Sequence, residues 1–175
     1  MSPTAPAPIG SLAELLAYAL EIEREATARY EELADQMEVH HNGEVAALFH
    51  RLAGYEREHA NEIEARIGAL NLPARAAWEY RWVDPESPEE APYDGAHYLM
   101  TVRQALELAL VNERRARDFY EGLATSMTDP EARALAAIFV DEERQHVLYV
   151  EEALAKAPAD AAGWNDDPDP ASAVD

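Results

Sequence analysis

The chain contains one sequence pattern twice, and both copies carry residue types that bind metal ions. The pattern Glu-Arg-x-Ala-x-x-x-Tyr-Glu-x-Leu-Ala occupies residues 23–34 and occurs again at residues 113–124. Each copy is followed by Glu-Arg-x-His, at residues 56–59 and 143–146. A lone glutamate and a Glu-x-x-His pair, each present twice, supply four carboxylates and two imidazoles. That is a ligand set for two metal ions in a helical bundle.

The spacing of these residues favours metal binding over the burial of unpaired charge. Residues three apart on a helix project to the same side, so each Glu-x-x-His pair can hold one ion. Four ionised carboxylates buried without compensation would cost many kcal/mol, whereas two divalent cations would neutralise them. Oxygen-rich sites with one nitrogen per metal suit iron or manganese, with zinc as a substitute. The predicted ligands of two metal ions per chain are Glu23, Glu56, His59, Glu113, Glu143 and His146.

The repeat also places a tyrosine near each lone glutamate. Tyr30 and Tyr120 follow Glu23 and Glu113 by seven residues, which is two helical turns along the same face. Either tyrosine could simply fill the core. The functional alternative is a hydrogen bond to a ligand carboxylate or a role in electron transfer. The remaining histidines lack a carboxylate at metal-binding spacing and are expected at the surface: His40, His41, His50 and His97.

Four helices must position these side chains. Apolar residues recur at steps of three and four along each of them, and the candidate ligands fall on these apolar lines. On the first helix Glu23 lies on the apolar line, whereas Glu25 is expected to face solvent. We therefore predict an all-α four-helix bundle, with helices at residues 12–39, 44–70, 96 or 101 to 127, and 130–157.

The segment between the second and third helices breaks this periodicity. Residues 71–95 are rich in proline and contain Trp78, Tyr80 and Trp82. About 25 residues can travel the ~40 Å length of a helix of this size, so we predict a crossover packed along the outside of the bundle. The alternative is a flexible joint, which would allow helical hairpins to exchange between protomers.

The remaining boundaries follow from composition. Residues 1–10 are rich in proline and alanine and are expected to be flexible, and residues 11–157 form the predicted bundle. Residues 158–175 form an acidic tail that is expected to be disordered, with Trp164 the only residue expected to dock.

Charge and composition exclude several functions. A formal net charge of −21 argues against nucleic acid or an anionic membrane as a partner, and it favours solubility, metal cations or a basic redox partner. The absence of cysteine excludes disulfides, zinc-thiolate sites and iron–sulfur ligation within this chain. No secretory signal is visible at the start, and no apolar stretch approaches the ~20 residues that span a bilayer. A soluble cytoplasmic protein is expected.

The duplicated motif resembles that of the ferritin-like superfamily, and within it of the rubrerythrin-like proteins, over about residues 12–157. This resemblance implies that the six predicted ligands bind a di-iron centre that reacts with O₂ or peroxide. Two features depart from rubrerythrins proper. The chain lacks the cysteines of a rubredoxin-like domain, so its electrons must come from a separate donor protein. Ala116 stands where rubrerythrins commonly carry a further glutamate, which makes the ligand set similar to that of bacterioferritins.

Three functions fit these features. The first is a di-iron oxidoreductase that reduces H₂O₂ or O₂ with electrons from a separate donor protein. The second is a ferroxidase that stores iron in a large assembly, and the third is a non-catalytic metal-binding bundle. The long aromatic crossover favours a small oligomer, a homodimer, and with it the first function.

Overall fold

Four long helices account for most of the chain that the structure describes. The computed structural model describes residues 9–73, 80, 87–89 and 96–160. Its helices are α1 (Leu12–Val39), α2 (Gly43–Ile67), α3 (Val102–Ser126) and α4 (Pro130–Lys156). The described residues include no strand, and the predicted all-α four-helix bundle is confirmed. None of the four helices is long and apolar enough to cross a membrane.

Short polar sequences determine where the helices begin and end. The Ser11 side chain accepts a hydrogen bond from the backbone N–H of Glu14 at the start of α1, and Asp129 caps α4 in the same manner. Helix α2 ends three residues earlier than predicted, at Ile67. It ends there because Gly68 adopts φ +51°, a backbone conformation that glycine reaches without the clash that a Cβ atom would cause.

The helices pack as two hairpins, α1 with α2 and α3 with α4, and the hairpins meet along α2–α3 and α1–α4. Non-ligand residues of the repeated motif join each hairpin through equivalent ion pairs. Arg57 on α2 binds Glu31 on α1, and the matching Arg144 on α4 lies 2.8 Å from Glu121 on α3. The sequence repeat is therefore also a repeat in three dimensions.

The apolar core consists of two clusters, one toward each end of the bundle. One cluster is built around Phe49, Leu33 and Leu106, and the other around Leu16, Ile63 and Phe139. The residues between these clusters on each helix include the predicted metal ligands. Apolar packing at both ends therefore shields a polar layer at mid-height.

Parts of the crossover and of the tail contact the bundle. The ring of Tyr80 packs edge-on against Tyr18 of α1, at 4.9 Å between ring centroids. Ser87 and Glu89 are buried, so this described part of the predicted crossover packs against the bundle. Asp160, in the predicted disordered tail, accepts hydrogen bonds from Thr101 and Gln104 at the start of α3. Four of the predictions concern positions outside the described residues: Trp78, Trp82, Trp164 and residues 1–8.

Candidate metal centre

The structure brings the six predicted ligands together at the mid-height of the bundle, with each helix contributing at least one. The four glutamates are only 3–4% exposed, whereas the histidine side chains are 28% (His59) and 24% (His146) exposed. The residues form two groups in which the ligand atoms lie within 4.8 Å of one another. These groups are Glu23, Glu56 and His59, and Glu113, Glu143 and His146.

The two histidines mark two adjacent sites rather than one. In the first group, Nδ1 of His59 lies 3.6 Å from Oε2 of Glu56. In the second group, Nδ1 of His146 lies 3.3 Å from Oε2 of Glu143. The two imidazole rings stack in parallel, with an interplanar angle of 2° and 4.4 Å between centroids. Parallel rings at this spacing suit two ions about 4 Å apart, which is the usual separation in two-metal sites.

Unsatisfied carboxylate oxygens show that the pocket suits cations. One buried oxygen in each of four glutamates accepts no hydrogen bond within the described part of the chain: Glu23, Glu89, Glu113 and Glu143. A buried acceptor without a partner costs about 1–3 kcal/mol, and more when the group is charged. Coordination to hard divalent cations would satisfy all four oxygens, since carboxylate oxygens are ligands that iron and manganese accept. The donor set therefore fits two metal ions.

Without cations, the centre holds protons that its residue types would ordinarily release. Burial, with the charges of Glu56 and Glu143, raises the pKa of Glu23 well above its usual range. Burial raises the pKa of Glu113 to about 7, although His146 nearby opposes the rise. Burial lowers the pKa of His146, but the carboxylates of Glu113 and Glu143 outweigh it and raise the value to about 11. Protons partly neutralise this layer when no metal does.

Glu89 is a further residue of the centre, and no sequence pattern distinguishes it. It belongs to the crossover and is 3% exposed. Its carboxylate forms a third group with those of Glu23 and Glu143, again with oxygens within 4.8 Å of one another. The surrounding sequence, Pro-Glu-Ser-Pro-Glu-Glu-Ala-Pro, offers three glutamates and no periodicity that would distinguish them.

The two tyrosines of the repeat are both buried, at 1% exposure. The hydroxyl of Tyr30 accepts a hydrogen bond from Nδ2 of Asn112, which lies on α3 directly before Glu113. Burial raises the pKa of both tyrosines, so their hydroxyls stay protonated. Tyr120 packs against Phe139 at 5.1 Å between centroids. Their role in hydrogen bonding to a ligand or in electron transfer stays a prediction.

A cleft between α2 and α4 connects the histidine side of the centre with solvent. Its volume is about 470 Å³, and its lining includes Glu56, His59, Glu113 and His146. Tyr55 and Tyr149 stand at its rim, are exposed, and have hydroxyl oxygens 3.3 Å apart. A small molecule can therefore approach the ligands from this side.

Other acidic and histidine side chains lie away from the centre. His40, His41 and His50 are exposed, and among the described residues none of them belongs to a metal-binding group. His97 is partly buried, and its Nδ1 accepts a hydrogen bond from the backbone N–H of Leu99. Glu25, expected to face solvent, is also partly buried, because one of its carboxylate oxygens is covered.

Comparison with known proteins agrees with this centre. The rubrerythrin family model matches residues 14–154, which spans all four helices. An uncharacterized conserved protein from Magnetospirillum magnetotacticum MS-1, whose crystal structure is known at 2.00 Å resolution, is 40% identical in sequence to this chain. The match covers 86% of this chain and 98% of that one, with a TM-score of 0.65. No curated protein matches the chain.

Proposed function

The chain belongs to the rubrerythrin family, and from that premise we propose that it is a non-haem di-iron oxidoreductase that reduces peroxide or O₂. The observation that carries the proposal is the pair of adjacent carboxylate–histidine groups, each with buried oxygens that accept no hydrogen bond. A structural bundle gains nothing from buried carboxylate oxygens that accept no hydrogen bond, because each one weakens the apo fold. Two metal ions account for this arrangement.

Each part of the centre has a distinct task. The Glu23–Glu56–His59 group would hold one iron ion and the Glu113–Glu143–His146 group the other, with manganese or zinc as possible substitutes. When bound, the iron pair supplies electrons for the two-electron reaction H₂O₂ + 2 H⁺ + 2 e⁻ → 2 H₂O. The apolar clusters at both ends keep bulk water away. The stacking of His59 on His146 keeps the two imidazoles parallel.

The cleft between α2 and α4 supports a small oxidant. Its volume of about 470 Å³ accommodates H₂O₂ or O₂ with several waters, and it reaches His59 and His146 directly. Both histidines are partly exposed, whereas the carboxylates behind them are not. We expect the oxidant to enter on the histidine side.

Electrons have to come from outside this chain. It contains no cysteine and therefore no iron–sulfur or rubredoxin-type centre of its own. We propose a separate electron-donor protein with a basic contact surface, because the chain's net charge of −21 would attract it. We also propose a cytoplasmic homodimer, whose size can be measured by light scattering.

The decisive experiment loads the protein with ferrous iron under anaerobic conditions and mixes it separately with H₂O₂ and O₂. The ferric absorbance is followed in a stopped-flow instrument. Faster oxidation by H₂O₂ would establish a peroxidase, and faster oxidation by O₂ an oxidase or ferroxidase. A protein that binds two ferrous ions but reacts slowly with both oxidants would contradict the proposed activity and favour a non-catalytic metal-binding bundle.

Iron storage is the second candidate, because four glutamates and two histidines without the glutamate at Ala116 are similar to the bacterioferritin ligand set. A storage cage would elute at hundreds of kilodaltons and keep ferric mineral inside. A homodimer of this 19.4 kDa chain would elute near twice that mass and retain only two iron ions per chain. Size-exclusion chromatography after aerobic iron loading distinguishes the two.

A further inference from the structure

Among the residues that the structure describes, Glu89 is the one member of the metal centre that lies outside the helices. It comes from the crossover, is 3% exposed, and has a buried oxygen that accepts no hydrogen bond in the described part of the chain. Ser87, two residues before it, is also fully buried, so this piece of the crossover packs closely against the bundle. A carboxylate placed this way lacks the solvation that an exposed glutamate has.

Glu89 is not placed symmetrically with respect to the two metal groups. Its carboxylate oxygen lies within 4.8 Å of ligand oxygens from Glu23 and Glu143. Glu23 belongs to the first metal group and Glu143 to the second, and the repeat pairs them with Glu113 and Glu56. Among the described residues, no further carboxylate forms such a group with Glu113 and Glu56. The internal repeat alone would make the two metal positions equivalent, and Glu89 removes that equivalence.

We propose that Glu89 is a seventh protein ligand, and that it makes the metal position beside Glu23 the tighter of the two. An additional anionic oxygen raises the affinity of a site for a hard divalent cation and raises the coordination number available to it. Two divalent ions therefore bind in two unequal steps, the first of them at the Glu23 position. This inference rests on the two-metal centre proposed above and does not depend on which oxidant reacts there.

The test is a titration with Co²⁺ under anaerobic conditions, followed by calorimetry and by visible absorption. Co²⁺ reports its ligand environment through its absorption bands and avoids turnover. The wild-type protein should bind two ions, the first at least tenfold tighter than the second. Glu89→Gln preserves the shape of the side chain and removes its charge. It should still bind two ions, with the first step weakened at least tenfold and the second nearly unchanged.

Two further variants separate ligation from a general effect on the fold. Glu113→Gln removes a carboxylate from the other position and should weaken the second step instead of the first. Glu107→Gln, on an exposed part of the same helix α3, should match the wild-type protein in both steps. Each ligand variant should therefore weaken one binding step and leave the other unchanged. A residue that only supports packing would not be expected to act on a single step.

The outcomes distinguish this inference from the proposed function. Two equal steps in the wild-type protein, or unchanged steps in Glu89→Gln, would overturn the role of Glu89 and leave the two-metal centre intact. A wild-type protein that binds no Co²⁺ would overturn the metal centre and this inference with it. If circular dichroism shows that Glu89→Gln does not fold, the two Co²⁺ binding steps of the wild-type protein and of Glu113→Gln are compared instead. Weakening of the first step by Glu113→Gln would then contradict the proposed order.

Discussion

At the scale of single residues, the centre depends on where carboxylates lie along the helices. Glu113 occupies a position on α3 that an apolar side chain would otherwise fill, between Ala109 and Ala116, which are both fully buried. Glu107, on the same helix, is exposed. Two glutamates of one helix therefore have opposite environments, one buried and one exposed. Helical periodicity distinguishes the two positions in the sequence.

Replacing Glu113 by alanine should impair metal binding far more than replacing Glu107. Glu113→Ala removes one of the three ligand residues of the second group, so we expect it to retain about one ion per chain, or to bind the second at least ~10-fold more weakly, about 1.4 kcal/mol. Glu107→Ala should retain two. Elemental analysis after iron reconstitution and desalting measures both. Equal iron content in the two variants would show that the assignment of Glu113 is wrong.

Metal uptake at neutral pH should release protons. Without metal, the pKa of Glu113 is about 7 and that of His146 about 11, so the former is partly protonated and the latter fully so. Both must lose these protons to coordinate a cation, and the apparent affinity should therefore fall as the pH is lowered. Calorimetric titration in two non-coordinating buffers of different ionisation enthalpy measures the release. A binding enthalpy that does not depend on the buffer would contradict it.

Glu89 of the centre and Asn112 beside it could not be predicted from the sequence, for different physical reasons. Glu89 lies in a segment without helical periodicity, so no pattern distinguishes a buried glutamate there from an exposed one. Asn112 precedes Glu113 and points about 100° away from it around the helix, off the apolar line. Its bond to Tyr30 depends on how α1 and α3 pack. The six repeated ligands could be predicted because each lies on a regular apolar line.

At the scale of elements, the repeat determines how each hairpin is held together. Arg24 on α1 pairs with Glu64 on α2 at 2.6 Å, and the equivalent Arg114 on α3 pairs with Glu151 on α4 at 2.7 Å. Exposed pairs of this kind contribute only ~0–1 kcal/mol each. Their equivalence matters more than their strength, because it keeps the two hairpins in the same register and so places the ligands at the same height.

Removal of a helix cap should lower stability without changing the number of metal ions bound. Oδ1 of Asp129 accepts hydrogen bonds from the backbone N–H groups of Glu131 and Ala132 at the start of α4. Asp129→Ala should cost about 1 kcal/mol and lower the melting temperature by roughly 2–4 °C. Thermal unfolding followed by circular dichroism measures this change. A loss of bound iron in the same variant would mean that the cap also positions Glu143.

At the scale of the whole molecule, helix type and order were predictable, but which residues of the connections are buried was not. The four helices follow from long periodic segments bounded by caps and by Gly68. A crossover packed along the bundle is predicted from the sequence, but the burial of Ser87 and Glu89 within it is not. Irregular chain carries no repeat pattern, so its burial depends on contacts that form only after the helices have packed.

Metal should stabilise the whole bundle, because the ions bind the folded site and not the unfolded chain. Two ions at about 100 times their dissociation constants contribute on the order of 5 kcal/mol, which raises the melting temperature by roughly 10 °C or more. The double variant with His59→Ala and His146→Ala should lose most of this increment, while its apo form still folds through the apolar clusters. A wild-type melting temperature that ignores ferrous and manganous ions would favour a purely structural bundle.

The rise in melting temperature that metal causes should be larger at higher pH. The folded-state pKa of Glu113, about 7, exceeds the usual value of 4.5, so its protonated form stabilises the apo fold at low pH. This contribution is lost as the pH rises through 7. The raised pKa of His146 acts in the same direction at higher pH. Since bound metal replaces these protons, the stabilisation by Mn²⁺ should be larger at about pH 8 than at about pH 6.

The position of Glu89 has a consequence in evolutionary terms. A chain built from two copies of one hairpin inherits a centre with approximate two-fold symmetry, and a substitution in one copy alters a residue that has a twin in the other. The connection between the copies occurs only once, so a side chain that it contributes has no twin. Selection can therefore adjust one metal position through residues 87–89 while both copies of the ancestral motif stay intact.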